Sequence, residues 1–306
     1  MVAGYSCVHV GKSLLWAGED ALALYVMVRF LALPPAAAGS MFLLSSVWNA
    51  LCDGLFGWAL RRSVRLRQAA PRIAAIAIPV SAASFAALPL AATHSLGWAA
   101  LLLLLFRTGF SLADVPHNGL TRMLATNDRH LAAARIRAIG SGGAALTIGV
   151  ASTVLLAAGG EGRTVAIVLS AAIAVAALVL MAPLPFLLTR APDDAPVAPA
   201  AKRDDRAERL AFRLFCLATM LGLAGMGASG KALLHLHIAG GIVGPALLLL
   251  VTAGRLGAVW IWSPLARRTG NHRALALAYA GCAVAALLIP AFGRLPAVCA
   301  GAVLLW

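Results

Sequence analysis

Asp53 stands in the middle of an apolar run, residues 36–60, that is followed at once by Arg61, Arg62, Arg65 and Arg67. A carboxylate at membrane depth costs about 2.5–3.5 kcal/mol on insertion scales. A chain that keeps one either uses it on a water-filled path, to hold a proton, an ion or a polar solute, or pairs it with a basic side chain on another helix. Asn49 lies four residues earlier and so shares the Asp53 helix face. A second set, Arg107, Ser111, Asp114 and Asn118, falls at spacings of four, three and four, one polar stripe on an otherwise apolar helix. A third set opens the chain: Lys12, Trp16 and Glu19 share one face, with Ser13 and Asp20 beside it. Asp114 fits solute handling and structural pairing equally well. Arg107 reads first as a structural partner, and so does Arg255. Arg107 and Asp114, two turns apart, each look to another helix rather than to one another. Lys12 is placed to snorkel towards the nearer membrane face; Glu19 and Asp20 are deeper, where snorkelling is harder. Lys231, His235 and His237 approach the other face, and the two imidazoles point to different sides of a helix, which argues against a metal site.

The elements that must position these residues are membrane spans. The chain has 306 residues, 61% hydrophobic and 12% charged, with a mean hydropathy of +0.89. Water-soluble domains carry about 25% charged residues, so a soluble protein is excluded. Nine apolar runs reach the ~20 residues that a helix needs to cross a ~30 Å hydrocarbon core: 5–32, 36–60, 73–92, 97–121, 138–158, 164–188, 211–236, 242–264 and 274–292. A further run from Leu295 to Trp306 covers only about 18 Å as a helix, so the sequence is expected to stop inside a tenth span. The fold class expected is all-α: a polytopic membrane protein of about nine complete spans plus part of a tenth.

The formal charge of +14 reports topology, not nucleic acid. Eighteen Lys and Arg residues follow the even-numbered runs, whereas only Arg29, Arg163, Lys231 and Arg294 lie in or near the opposite loops. That bias places the N-terminus in the cytoplasm of a multi-pass protein of the cytoplasmic membrane. No cleavable signal precedes the first run, which already carries Lys12, Glu19 and Asp20. Cys7, Cys52, Cys216, Cys282 and Cys299 all fall in apolar runs without C-x-x-C spacing and read as inert buried thiols.

Residues 189–210, rich in Pro, Ala and charge, are too polar to span and too poor in apolar residues to fold alone. They divide an N-terminal six-helix bundle, 1–188, from an incomplete C-terminal bundle, 211–306. A weak repeat relates the halves: Gly57-Trp58-Ala59-Leu60-Arg61-Arg62-Ser63 matches Ser263-Pro264-Leu265-Ala266-Arg267-Arg268-Thr269. Transporters often build a midplane site between two such repeats. Small residues from Gly140 to Ala145 and from Gly222 to Gly230 suit close helix packing or a moving interface. Pro79, Pro116 and Pro245 mark possible kinks. No nucleophile elbow, P-loop, zinc-helix motif or phosphate cradle occurs, so no enzymatic chemistry, cofactor or metal is expected.

Three stretches carry a family resemblance: Tyr5 through Gly11-Lys12 to Tyr25; Val47-Trp48-Asn49-Ala50-Leu51-Cys52-Asp53-Gly54-Leu55-Phe56-Gly57-Trp58; and Asp114-Val115-Pro116-His117-Asn118-Gly119-Leu120 followed by Arg135, Arg137 and Ser141. The second resembles a W-D-A-x-x-D-P-x-x-G-W motif. Together they resemble the melibiose permease-like glycoside–pentoside–hexuronide:cation symporters of the major facilitator superfamily. The resemblance implies a major-facilitator-type two-bundle helical fold. It also implies a cation site at positions matching Asp53, Ser111, Asn49 and Ser13, and a sugar site at positions matching Ser13, Asp114 and Arg137. Here the helix-one acid is Ser13, the first helix-two acid is Asn49, the motif proline is Gly54, and an aromatic of helix four is Asn118.

The expected function is secondary transport of a sugar or related polar solute by alternating access, coupled to a cation, with protons favoured over sodium because two acids are gone. Asp53, Ser111, Asn49 and Ser13 are the candidates for coupling; Lys12, Glu19, Asp20, Asp114, Arg137 and Asn118 are the candidates for solute binding. The partners implied are a small sugar-like solute, a coupling cation and membrane lipid, with no nucleic acid. A same-fold facilitator of a lipid-like or drug-like amphiphile, or a relative that binds without transporting, is the alternative.

Overall fold

The computed structural model describes residues 2–124, 130–190 and 264–291, with isolated positions between 210 and 262. Two compact units divide the chain, Met1–Ala191 and Pro192–Trp306. In the first, the helices are α1 (Val2–Arg29), α2 (Pro35–Arg62), α3 (Val64–Ala87), α4 (Leu96–Leu124), α5 (His130–Ala157), α6 (Gly162–Met181) and the short α7 (Leu184–Thr189). In the second, α8 (Asn271–Ala291) matches the ninth apolar run. The seventh, eighth and tenth runs and most of residues 189–210 lie outside the described residues.

Local chemistry sets the helix ends. Pro34 and Pro35 open α2 with a preset φ where no N–H partner is needed. Ser63 is extended (φ −117°, ψ 113°); its N–H closes α2 on the Ala59 carbonyl and its hydroxyl accepts from the Leu66 N–H to start α3. Arg67 then donates to the Leu60 and Arg61 carbonyls at 3.0 and 3.2 Å, filling acceptors that the end of α2 leaves open. Two helices start well before their apolar runs, α3 at Val64 and α5 at His130. Arginine is a good helix former, so the helices continue past the apolar limit through Arg65, Arg67 and Arg72, and through Arg135 and Arg137. The sixth run breaks into α6 and α7 at Ala182, because Pro183 has no N–H to continue the ladder and instead begins the next helix.

Four stretches among the described residues are long and apolar enough to cross a membrane: Val64–Leu90, Leu96–Thr121, Ala133–Leu155 and Gly159–Thr189. α1 and α2 are each 28 residues, about 42 Å, and they carry Lys12, Glu19, Asp20, Asn49 and Asp53. α1 is the central helix of the first unit and packs against each of α2 to α7, most extensively against α5 and α6. A side chain at Gly11 would come within 2.8 Å of Leu180 Cβ and 3.1 Å of the Ala177 carbonyl, so glycine there permits the close α1–α6 approach.

Candidate functional site

α1 and α4 run antiparallel and meet through a ladder of paired side chains rather than through close backbone contact. Five pairs follow in order: Tyr5 with Thr121, His9 with His117, Lys12 with Asp114, Trp16 with Phe110, and Glu19 with Arg107. The spacing on each helix alternates four and three, the 3.5-residue period that keeps one face of a helix on its partner. The first pair is a 2.7 Å hydrogen bond. One aromatic pair, Trp16 with Phe110, separates the two ion pairs, whose polarity is reversed: the cation sits on α1 at Lys12 and on α4 at Arg107.

The Lys12–Asp114 pair belongs to a wider network. The Lys12 ammonium donates to Asp114 and, at 3.1 Å, to the Asn118 amide oxygen. Asn118 donates its own amide to the other Asp114 oxygen at 2.7 Å. Arg137, from α5, donates to the same Asn118 oxygen at 3.1 Å and to the Thr121 hydroxyl at 3.0 Å. Asn118 therefore joins three charged groups. Beside it the Ser13 and Ser141 hydroxyls are 3.2 Å apart, and His9 Nε2 reaches both Ser141 and the Arg137 carbonyl. A carbonyl only accepts, so His9 Nε2 carries the hydrogen in that contact. The Tyr5, His9 and His117 rings lie nearly parallel in a triangle, with centroids 4.7 Å (Tyr5–His117), 5.8 Å (His9–His117) and 6.2 Å (Tyr5–His9) apart.

Asp53 lies on α2 beside this network. Asn49 donates its amide to Asp53 at 3.0 Å, and the Ser111 hydroxyl donates to Asn49 at 3.3 Å while also interacting with Asp53. The second Asp53 oxygen is buried and makes no hydrogen bond among the described residues. Lys12 and Asp114 are both within electrostatic range of it.

Glu19 and Arg107 form a different environment. Their 2.9 Å ion pair is 1% exposed on both sides. The guanidinium carbon lies 4.5 Å from the Trp16 ring centroid, 5.2 Å from Phe42 and 5.9 Å from Phe106. Arg107 thus pairs with α1, not with Asp114, as the two-turn separation implies.

The structure brings Lys12, Asp114, Asn118, Arg137 and Ser13 into one cluster, and Asp53, Asn49 and Ser111 into a second beside it. Glu19 is set apart in the buried pair, and Asp20 is half-buried on α1 next to it. Tyr5, His9, His117 and Thr121 were not legible as single residues. The signal was the continuation of the Lys12–Trp16–Glu19 stripe by four and three residues towards the N-terminus, and its counterpart on α4.

The family of MFS/sugar transport proteins matches the chain over residues 4–304. The chain belongs to this family. It is an all-α, polytopic integral membrane protein with the major facilitator fold, in a family of secondary transporters for sugar-like solutes. No curated protein matches it. In a major facilitator protein, a bundle interior carrying ammonium, carboxylate, amide and guanidinium groups side by side has the donors and acceptors that a polyhydroxylated solute needs.

Proposed function

We propose that the chain is a proton-coupled sugar symporter of the melibiose permease-like group, working by alternating access in the cytoplasmic membrane with its N-terminus inside. Lys12, Asp114, Asn118 and Arg137 bind the solute hydroxyls, and Asp53 carries the coupled proton. The observation that supports this reading best is the setting of Asp53. A carboxylate with one oxygen held by Asn49 and the other unbonded stands beside, but outside, the Lys12–Asp114–Asn118 network.

Such a carboxylate changes its proton occupancy and passes the change to the solute cluster through Ser111, Asn49 and the nearby charges. Sodium prefers several oxygen ligands, carboxylates among them. Ser13 and Asn49 supply neutral groups where the related symporters have acids, which leaves one carboxylate for the ion and favours a proton. Lys12 and Arg137 hold Asp114 and Asn118 in the solute cluster while Asp53 cycles.

The test is uptake of a panel of labelled sugars by proteoliposomes, with imposed proton or sodium gradients. The reading predicts uptake of at least one sugar, driven by the proton gradient. Strong sodium stimulation with no response to a pH gradient contradicts the coupling, and uptake of an amphiphile with no sugar contradicts the solute class.

A further inference from the structure

Four arginines flank the corner where α2 passes into α3: Arg61, Arg62, Arg65 and Arg72, all exposed. A fifth, Arg67, is occupied by the Leu60 and Arg61 carbonyls and fixes the corner. Among the described residues no carboxylate pairs with the other four, and no Asp or Glu occurs from residue 54 to residue 113. The Arg62 guanidinium carbon lies 4.7 Å from the ring centroid of Trp58, itself exposed. A guanidinium over an indole face keeps the N–H groups of its edge free to donate, the geometry that suits a phosphate. Trp58 in turn ends an apolar stripe. Leu51, Leu55, Trp58 and Arg62 fall at spacings of four, three and four, all exposed on one face of α2. Asn49, Asp53 and Phe56 lie on the opposite side, towards the bundle.

This face steps from guanidinium to indole to aliphatic between Arg62 and Leu51, about 16 Å along the helix and so the depth of one leaflet of a ~30 Å hydrocarbon core. A phospholipid has its parts in the same order: phosphate, glycerol ester region, acyl chain. Topology alone asks only for the positive charge, and the second copy of the repeat separates the two demands. Arg267 and Arg268 match Arg61 and Arg62, but Pro264 stands where the first copy has Trp58. We propose that the α2–α3 corner is a binding site for an anionic phospholipid. Its phosphate sits on Arg62 with Arg61 and Arg65 beside it, its ester region on Trp58, and an acyl chain along Leu55 and Leu51. Arginines without counter-charges select a net-negative headgroup over phosphatidylcholine, whose own ammonium they repel. The apolar stripe that continues from the basic cluster selects a lipid over a soluble phosphate. The site lies on the opposite side of α2 from Asp53 and does not depend on which solute the protein moves.

The experiment titrates the full chain, purified in an uncharged detergent, with dioleoyl phosphatidylglycerol or dioleoyl phosphatidylcholine and reads bound lipid by native mass spectrometry. Glycerol phosphate, a headgroup without tails, is run beside them. The wild type is expected to bind phosphatidylglycerol at least about fivefold tighter than phosphatidylcholine, and not to bind glycerol phosphate over the same concentrations. Arg62→Gln with Arg65→Gln should weaken phosphatidylglycerol binding roughly tenfold or more. Trp58→Leu keeps every arginine, so the charge that sets insertion is unchanged, and it should weaken binding several-fold. Arg267→Gln with Arg268→Gln removes the same charge from the second copy and should stay within about twofold of the wild type. Unliganded melting temperatures show whether each variant folds; if the Arg62 and Arg65 double variant does not, Trp58→Leu decides. Equal losses in the two double variants would mean that surface charge alone attracts the lipid, and would overturn the site. So would wild-type affinity in Trp58→Leu or in the Arg62 and Arg65 variant, a wild type without headgroup preference, or equal binding of glycerol phosphate.

Discussion

The two ion pairs that join α1 to α4 lie seven residues apart on each helix and differ in every respect that decides a role. Glu19–Arg107 is sealed at 1% exposure and packed by Trp16, Phe42 and Phe106. Lys12–Asp114 is partly open, at 9% and 17%, and shares its oxygens and hydrogens with Asn118, and through Asn118 with Arg137. A sealed pair has one low-energy arrangement and so fixes geometry. A shared pair has several alternative partners within reach and can be rearranged by a solute at little net loss of hydrogen bonds. The same helix therefore carries a sealed pin and, two turns away, the shared pair that we propose as part of the solute site. The reversed polarity of the pairs also fixes their alignment: a seven-residue slip would set Lys12 against Arg107 or Glu19 against Asp114.

The largest effect expected is on the pin. Arg107→Ala leaves the Glu19 carboxylate buried without its counter-charge, which costs about 3–5 kcal/mol. Thermal unfolding in detergent should show a large fall in Tm, and the exchange Glu19→Arg with Arg107→Glu should recover part of it. If Arg107→Ala melts with the wild type, the distinction between the two pairs is lost. Next comes the shared pair. Asp114→Asn should reduce sugar uptake by more than roughly tenfold, about 1.4 kcal/mol or more, while Tm changes much less than for Arg107→Ala. The charge exchange Lys12→Asp with Asp114→Lys should restore stability but not uptake, because Asn118 and Arg137 are arranged for the native polarity. Smallest is Arg137→Lys, which keeps the charge but puts a shorter ammonium in place of the planar guanidinium, one nitrogen of which reaches both Asn118 and Thr121. A several-fold rise in KM with kcat nearly unchanged is expected. A larger loss than for Asp114→Asn would place the centre of the site on α5 instead.

Much of this architecture was legible in the sequence, and the limits were physical. Apolar run lengths located α1 to α6 and α8, because span length follows from bilayer thickness. They missed the starts of α3 and α5, where Arg-containing turns stay helical outside the apolar band. They also missed the break at Pro183, which a hydropathy window averages away. The polar stripe Arg107–Ser111–Asp114–Asn118 was visible as a period, and so was the Lys12–Trp16–Glu19 face. Which acid meets which base was not visible, because that depends on the offset between two helices that are distant in sequence. Only the structure shows that Lys12 meets Asp114 while Glu19 meets Arg107. Spacing alone groups Glu19 with Lys12 as a solute residue. Its burial in an ion pair with Arg107, whose guanidinium packs against three aromatic rings, is a property of the packed bundle, not of α1.

The central claim is that Asp53 couples the proton to the solute cluster without being part of it. It is tested most directly by comparing two modes of sugar movement in Asp53→Asn proteoliposomes: uptake driven by an imposed proton gradient, and exchange of labelled for unlabelled sugar at equal concentrations with no gradient. The account predicts that gradient-driven accumulation is lost while exchange stays within a few-fold of the wild type, since Lys12, Asp114, Asn118 and Arg137 are untouched. Accumulation that still follows the proton gradient in Asp53→Asn would contradict it.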